Sequence, residues 1–258
     1  KSSSCPALRI VACSPQFLMG TLPGNGAKIA QGAGRLLLTS NGLSSPALEL
    51  EFIRMLGGGD LSKKTGWYIP TAALRDGWSE ERARSRMQSI QRRYGLGRLE
   101  WIDVEYVKGD ELRQAVQNLG EIDFIWAELG NTYNLAHHMW NSGGAELVRE
   151  LVGRSVLYVG SSAGSILAGR TIQTALWKDW DDKTCGGTVT VDWHRPENAC
   201  GLNLAGGRSI FPHANGPFAS GQWQQEQAQK HGHTDHEVVA IPNGRGIVID
   251  SDNMRFVQ

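Results

Sequence analysis

Short apolar runs alternate with amphipathic stretches along most of the chain, and this alternation predicts an α/β fold. Strands that are apolar throughout are typical of a parallel sheet buried on both faces, and apolar residues spaced three or four apart are typical of helices that cover it. The predicted strands lie near residues 36–40, 67–69, 101–104, 122–127, 155–160, 209–211 and 238–241, with a closing hairpin at 246–250 and 254–257.

The strongest helix pattern covers residues 79–94 and ends at Gly95, a residue favoured just beyond a helix C-terminus. A second helix is predicted from Pro46, because the preceding Ser45 is a good N-cap and proline fits the first helical position. Further helices are predicted after Asp110 and over residues 132–140.

Two regions depart from the alternation. Residues 1–34 are punctuated by Gly, Pro and Ser, and we predict that they form an N-terminal extension packed on a single domain of residues 35–258. Residues 177–207 are rich in Asp, Gly and Asn, which favours a long functional loop or a small β-excursion.

Charge and composition narrow the functional classes. The 26 basic and 26 acidic residues give a formal net charge of zero, which argues against a nucleic-acid partner bound by bulk charge. No apolar segment approaches the roughly 20 residues of a membrane span, so we expect a soluble protein, cytoplasmic or organellar after processing. The four cysteines form no CxxC unit; a Cys185–Cys200 bridge and reduced thiols are both compatible with the spacing.

The segment from Gly160 to Gly164 matches G-x-S-x-G directly after a predicted strand and before a helical pattern. Such a turn holds the central serine in a strained conformation, and the helix N-terminus that follows offers N–H groups to a developing oxyanion. We therefore predict that Ser162 is a nucleophile; the alternative is a purely structural turn.

A second turn follows the preceding strand, at residues 130–132. Because the carboxyl ends of parallel strands meet at one edge of a sheet, Gly130 is predicted to form an oxyanion hole with Ala163. Asn131 and Thr132 are predicted to contact substrate, and the alternative for both is routine capping of the next helix.

His213 is the best candidate for a general base, because it follows a predicted strand and can lie at the same sheet edge as Ser162. The alternative histidine site, residues 231–236, has three histidines and an aspartate that could bind zinc. It lacks an HExxH helix, so we predict a solvated loop and no metal or cofactor.

Four segments in this order resemble the peptidase E (aspartyl dipeptidase) and cyanophycinase family: residues 37–41, 130–132, 158–164 and 211–213. The resemblance extends over the chain from Arg35 onward. It implies a flavodoxin-like three-layer sandwich with a mostly parallel sheet and a nucleophile elbow, Ser162 as nucleophile, His213 as base, and a small peptide as substrate.

The third member of the catalytic group departs from the family pattern. Peptidase E-like proteins have an aspartate shortly after the nucleophile, where this chain has Trp177, so we predict Asp179, with Asp182 as the alternative. Cyanophycinase-like proteins use a glutamate in a later segment, where this chain has Asn243; an amide can also orient a histidine.

Two further departures concern substrate specificity. Leu129 replaces the first glycine of the family's GGNT motif, and no arginine lies between Arg208 and Arg245, where peptidase E draws a cation. We predict a serine hydrolase that cleaves peptide or isopeptide bonds. The alternative is a catalytically weakened relative that serves as a binding or structural subunit, and a homodimer or a protein partner is compatible with either.

Overall fold

The computed structural model describes residues 34–185, 190–251 and 253–258. Nearly all of the predicted N-terminal extension, with Cys5 and Cys13, lies outside these residues. The strands are β1 (Leu36–Thr39), β2 (Thr65–Ile69), β3 (Arg98–Trp101), β4 (Phe124–Ala127), β5 (Leu157–Ser161), β6 (Ser209–Pro212), β7 (Val238–Ile241), β8 (Gly246–Asp250) and β9 (Asn253–Val257). The helices are α1 (Pro46–Met55), α2 (Thr71–Leu74), α3 (Glu80–Tyr94), α4 (Gly109–Gln117), α5 (Thr132–Asn141), α6 (Gly144–Gly153), α7 (Ala163–Ala168) and α8 (Gly221–Lys230).

Seven strands form the main sheet, in the order β3-β2-β4-β5-β1-β8-β9. The first five are parallel, and β8 and β9 form the predicted antiparallel hairpin at one edge. Alternate residues of β1 enter different apolar clusters, Leu36 and Leu38 on one face and Leu37 on the other. Helices therefore cover both faces, and the predicted α/β fold with a mostly parallel sheet is confirmed.

Local helix signals match the observed boundaries. The Ser45 side chain accepts a hydrogen bond from the backbone N–H of Leu48 at the start of α1, and Ser79 caps α3 in the same way. Gly95 ends α3 with a left-handed φ of 63°. Three helices, α2, α6 and α8, were not predicted. None of the helices in the described ranges is long and apolar enough to cross a bilayer.

The third strand lies earlier than predicted, at residues 98–101. The apolar residues that follow it form a loop, because Asp103 is held by side-chain contacts: its Oδ1 accepts from Thr71 Oγ1 at 2.6 Å and from the N–H of Glu105 at 3.0 Å. The contact with Thr71 joins residues that are far apart in the chain, and a local apolar run does not reveal it.

Strands β6 and β7 form a separate two-stranded parallel sheet. Strand β6 packs against α7, and Thr174 Oγ1 donates to the carbonyl of Ile210 within it at 2.7 Å. The described residues of the predicted loop at 177–207 contain short 3-10 turns and no strand. Cys185 within it is a buried thiol outside any disulfide, so it is not bridged to Cys200.

Candidate active site

Ser162 lies in the tight turn between β5 and α7. Its φ of 46° and ψ of −103° are unusual for a residue with a side chain and cost conformational energy. The turn is held on both sides, because the N–H of Ser162 donates to the carbonyl of Thr39 at 3.0 Å and its own carbonyl accepts from Ile166 N–H at 2.9 Å. The backbone of the main sheet therefore maintains this conformation.

The two glycines of the G-x-S-x-G segment are a steric requirement. A Cβ on Gly164 would lie 2.2 Å from the carbonyl oxygen of Ala127, at the end of β4. A Cβ on Gly160 would lie 2.8 Å from the backbone nitrogen of Ser165. Because neither position carries a side chain, α7 can begin in direct contact with the sheet. This contact sets the position of Ser162.

His213 follows β6, and the structure brings it against Ser162 from the other sheet. Its Nε2 lies 2.8 Å from Ser162 Oγ. Burial lowers the pKa of His213, an effect that the hydrogen bond to Asn243 opposes. The imidazole is therefore neutral at neutral pH, which is the form that can accept a serine proton.

Asn243, and not Asp179, contacts the second nitrogen of the imidazole: His213 Nδ1 lies 2.7 Å from Asn243 Oδ1. Asp179 does not take the predicted position, because its side chain is 68% exposed and forms an ion pair with Lys183. The alternative, Asp182, accepts hydrogen bonds from Thr184.

Lys178 and Asp181 line the same cleft as Ser162 and His213, and the sequence analysis missed both. The Lys178 ammonium donates to the carbonyl of Pro212 and lies 4.3 Å from the ring centre of Phe211. Burial lowers the pKa of Lys178 to about 7 and raises the pKa of Asp181. A cation was expected only after His213, whereas Lys178 lies close to Ser162 in the sequence.

Gly130 lies at the same edge, lines the cleft with Ser162, and has a φ of 134°. A Cβ there would lie 2.3 Å from the carbonyl oxygen of Ala72, so only glycine fits. Ala163 is the first residue of α7, where helix geometry provides no partner for an N–H group. In the described ranges, no acceptor contacts the N–H of Gly130 or of Ala163.

Asn131 is the N-cap of α5, which was the alternative role considered for it. Its Oδ1 accepts from Asn134 N–H and its Nδ2 donates to the carbonyl of Asp182, both at 2.8 Å. Thr132 lines the cleft, and its N–H donates to the carboxylate of Asp181 at 2.7 Å. Both polar atoms of the Asn131 side chain are thus already engaged within the protein.

Two of the three histidines in residues 231–236, His233 and His236, have hydrogen-bond partners within the protein. His233 Nε2 lies 3.1 Å from Gln173 Oε1, and His236 Nδ1 lies 2.7 Å from Asp235 Oδ1. Over the described part of the chain, no group of three or more histidine, cysteine or acidic side chains is arranged to hold a metal ion.

The sequence matches the profile of peptidase family S51 over residues 36–257. The chain belongs to this family. This membership confirms the family resemblance of the four motif segments. It also supports a serine peptidase. No curated protein sequence matches the chain.

Two of the solved structures that match the chain illustrate the shared fold. A candidate peptidase E protein from Listeria monocytogenes EGD-e matches with a TM-score of 0.62 and 24% identity, over 87% of this chain and 98% of that one. A peptidase from an acI-B1 actinobacterium matches with a TM-score of 0.59 and 20% identity, over 88% of each chain. At these identities the likeness extends to the architecture alone.

Proposed function

We propose that the protein hydrolyses peptide or isopeptide bonds through an acyl-enzyme formed on Ser162. The observation that carries this proposal is the 2.8 Å contact between Ser162 Oγ and His213 Nε2. A serine in a strained turn, hydrogen-bonded to a neutral imidazole, is the arrangement that activates a hydroxyl for attack on a carbonyl.

In the proposed mechanism, His213 accepts the hydroxyl proton while Ser162 Oγ attacks the substrate carbonyl. The backbone N–H groups of Gly130 and Ala163 stabilise the resulting oxyanion, and loss of one such donor raises the barrier by about 3 kcal/mol. The imidazolium then protonates the leaving amine, and a water activated by His213 hydrolyses the ester.

Asn243 takes the role of orienting the base. Its amide oxygen accepts the Nδ1 proton of His213, which leaves Nε2 free to accept a proton from Ser162. An amide carries no charge and stabilises the imidazolium less than a carboxylate does, so turnover should be slower than with an acid at this position.

For the substrate, we propose a small peptide with an acidic group, in the manner of the peptidase E relatives. Lys178 lines the cleft and supplies the cation: its pKa of about 7 leaves it partly protonated at neutral pH, and a bound carboxylate favours the ammonium form. A lysine binds a carboxylate as a point charge, without the paired geometry of arginine. Thr132, at the cleft wall, remains a predicted substrate contact.

Labelling with a fluorophosphonate tests the nucleophile directly. We expect a stoichiometric adduct with the natural protein and none with Ser162→Ala. The matched control is Ser161→Ala, because the neighbouring Ser161 Oγ is buried without a hydrogen-bond partner and its removal should leave labelling intact.

The second candidate function is a binding or structural subunit, which is favoured by Asn243 at the place where a carboxylate was expected. It predicts no adduct on the natural protein under conditions that label other serine hydrolases. That result, with the protein folded, would contradict the hydrolase proposal.

A further inference from the structure

We propose that Ser40 is a positioning residue that selects the amide orientation of Asn243 and, through it, the tautomer of His213. This proposal rests on the proposed function, because the tautomer matters only if His213 is a base. Ser40 directly follows β1 in the main sheet and is fully buried. His213 and Asn243 belong to the segments that follow β6 and β7.

The three residues form a closed set of contacts. Ser40 Oγ accepts the backbone N–H of His213 at 2.8 Å and lies 2.9 Å from Asn243 Oδ1, to which it donates. The same Oδ1 lies 2.7 Å from His213 Nδ1. A hydroxyl has a single proton to donate, and Ser40 donates it to the amide oxygen of Asn243.

The orientation of the amide decides the chemistry, because its two ends differ: the oxygen accepts and the nitrogen donates. With Oδ1 toward the ring, Nδ1 of His213 carries the proton and Nε2 can accept one. A reversed amide would donate to Nδ1 and place the proton on Nε2, which could then no longer act as a base toward Ser162.

Ser40 opposes that reversal. With the amide nitrogen turned toward it, the Ser40 hydroxyl would lose its acceptor at 2.9 Å and keep only His213 Nδ1 at 3.4 Å. The backbone of Asn243 is held separately, since its N–H donates to Asn215 Oδ1 at 2.6 Å. Rotation of the Asn243 side-chain amide is therefore the motion that Ser40 restricts.

The first test measures the tautomer by heteronuclear NMR of the ring nitrogens in histidine-labelled protein, with the His213 signals identified by their loss in His213→Gln. We expect the Nδ1–H form in the natural protein, a large Nε2–H population in Ser40→Ala, and recovery in Ser40→Thr. An unchanged Nδ1–H form in Ser40→Ala would overturn the proposal. Because no turnover is involved, this result is independent of whether Ser162 is a nucleophile.

The second test uses Asn243→Asp, because a carboxylate accepts at both ends and has no orientation to select. Ser40→Ala should lower the rate of fluorophosphonate labelling on the order of 10- to 100-fold in the natural background. In the Asn243→Asp background the loss should be below about threefold, a non-additivity expected of coupled residues.

An equal loss in both backgrounds would mean that Ser40 only supports the backbone of His213, and would overturn the proposal. Ser44→Ala is the matched control, since Ser44 lies in the same loop and donates to Asn41 Oδ1 without contacting the base. Absence of labelling in every variant would contradict the proposed function instead, and the tautomer measurement would still decide the role of Ser40.

Discussion

Ser162 and His213, the proposed nucleophile and base, lie in two regions of the molecule that are built in different ways. Ser162 belongs to the main sheet, and its position is set by backbone hydrogen bonds and by the close approach of Gly164 to β4. Buried hydroxyls add to this: Ser165 Oγ donates to the carbonyl of Thr39, and Tyr158 Oη donates to the carbonyl of Gly164, both at 2.7 Å. A region of this kind tolerates little change, because each alteration displaces the backbone itself.

His213 and Asn243 follow the strands of the smaller sheet, and side chains hold them in place. Contacts to Ser40 and between the two residues align the imidazole. Such contacts can be altered one at a time without a clash. We therefore expect substitutions in the first region to act on folding, and substitutions in the second to act on the rate and pH dependence of catalysis.

The largest effect that separates the two regions is expected from Gly164→Ala. Its methyl group would lie 2.2 Å from the carbonyl oxygen of Ala127, so we expect the free energy of unfolding to fall by about 3 kcal/mol. Urea denaturation measures this change. The control is Gly221→Ala at the start of α8, where no atom lies within 4 Å of the new Cβ and the change should stay within about 0.5 kcal/mol. Equal stability of the two variants would contradict the steric account.

The pH profile sharpens the comparison in the second region. Burial lowers the pKa of His213 below 6.5, and only the neutral ring acts as a base, so kcat/KM should fall with acidification only below that pH. In Asn243→Asp, a neighbouring carboxylate favours the imidazolium and raises the pKa of His213. The acidic limb of the profile should then move upward by about one pH unit, which corresponds to tenfold in the proton equilibrium. An unmoved limb would show that another group titrates.

The smallest effect is expected from Asp179→Asn. The side chain is exposed and its ion pair with Lys183 lies at the surface, so kcat/KM should change by less than about twofold. The steady-state kinetics of this variant are to be compared with those of Asn243→Ala, which removes the contact to His213 Nδ1. A greater loss in the aspartate variant than in Asn243→Ala would restore Asp179 as the acid.

Local features of the sequence determined the order of the strands and of most helices, the caps at Ser45 and Ser79, and the candidate nucleophile Ser162. Each depends on neighbours within a few positions, such as a hydroxyl beside a helix start or glycines around a turn. For the same reason the family motifs were recognisable before any contact was known.

Only the tertiary structure decided which side chain orients His213, and it also revealed the cleft position of Lys178 and the second sheet. Asp179 was near the nucleophile in sequence and had the expected charge, yet its side chain points to solvent. Asn243 contacts the imidazole because the segments that follow β6 and β7 end side by side. Contacts between residues so far apart in the chain depend on how whole strands and helices pack, and a local sequence pattern does not reveal that packing.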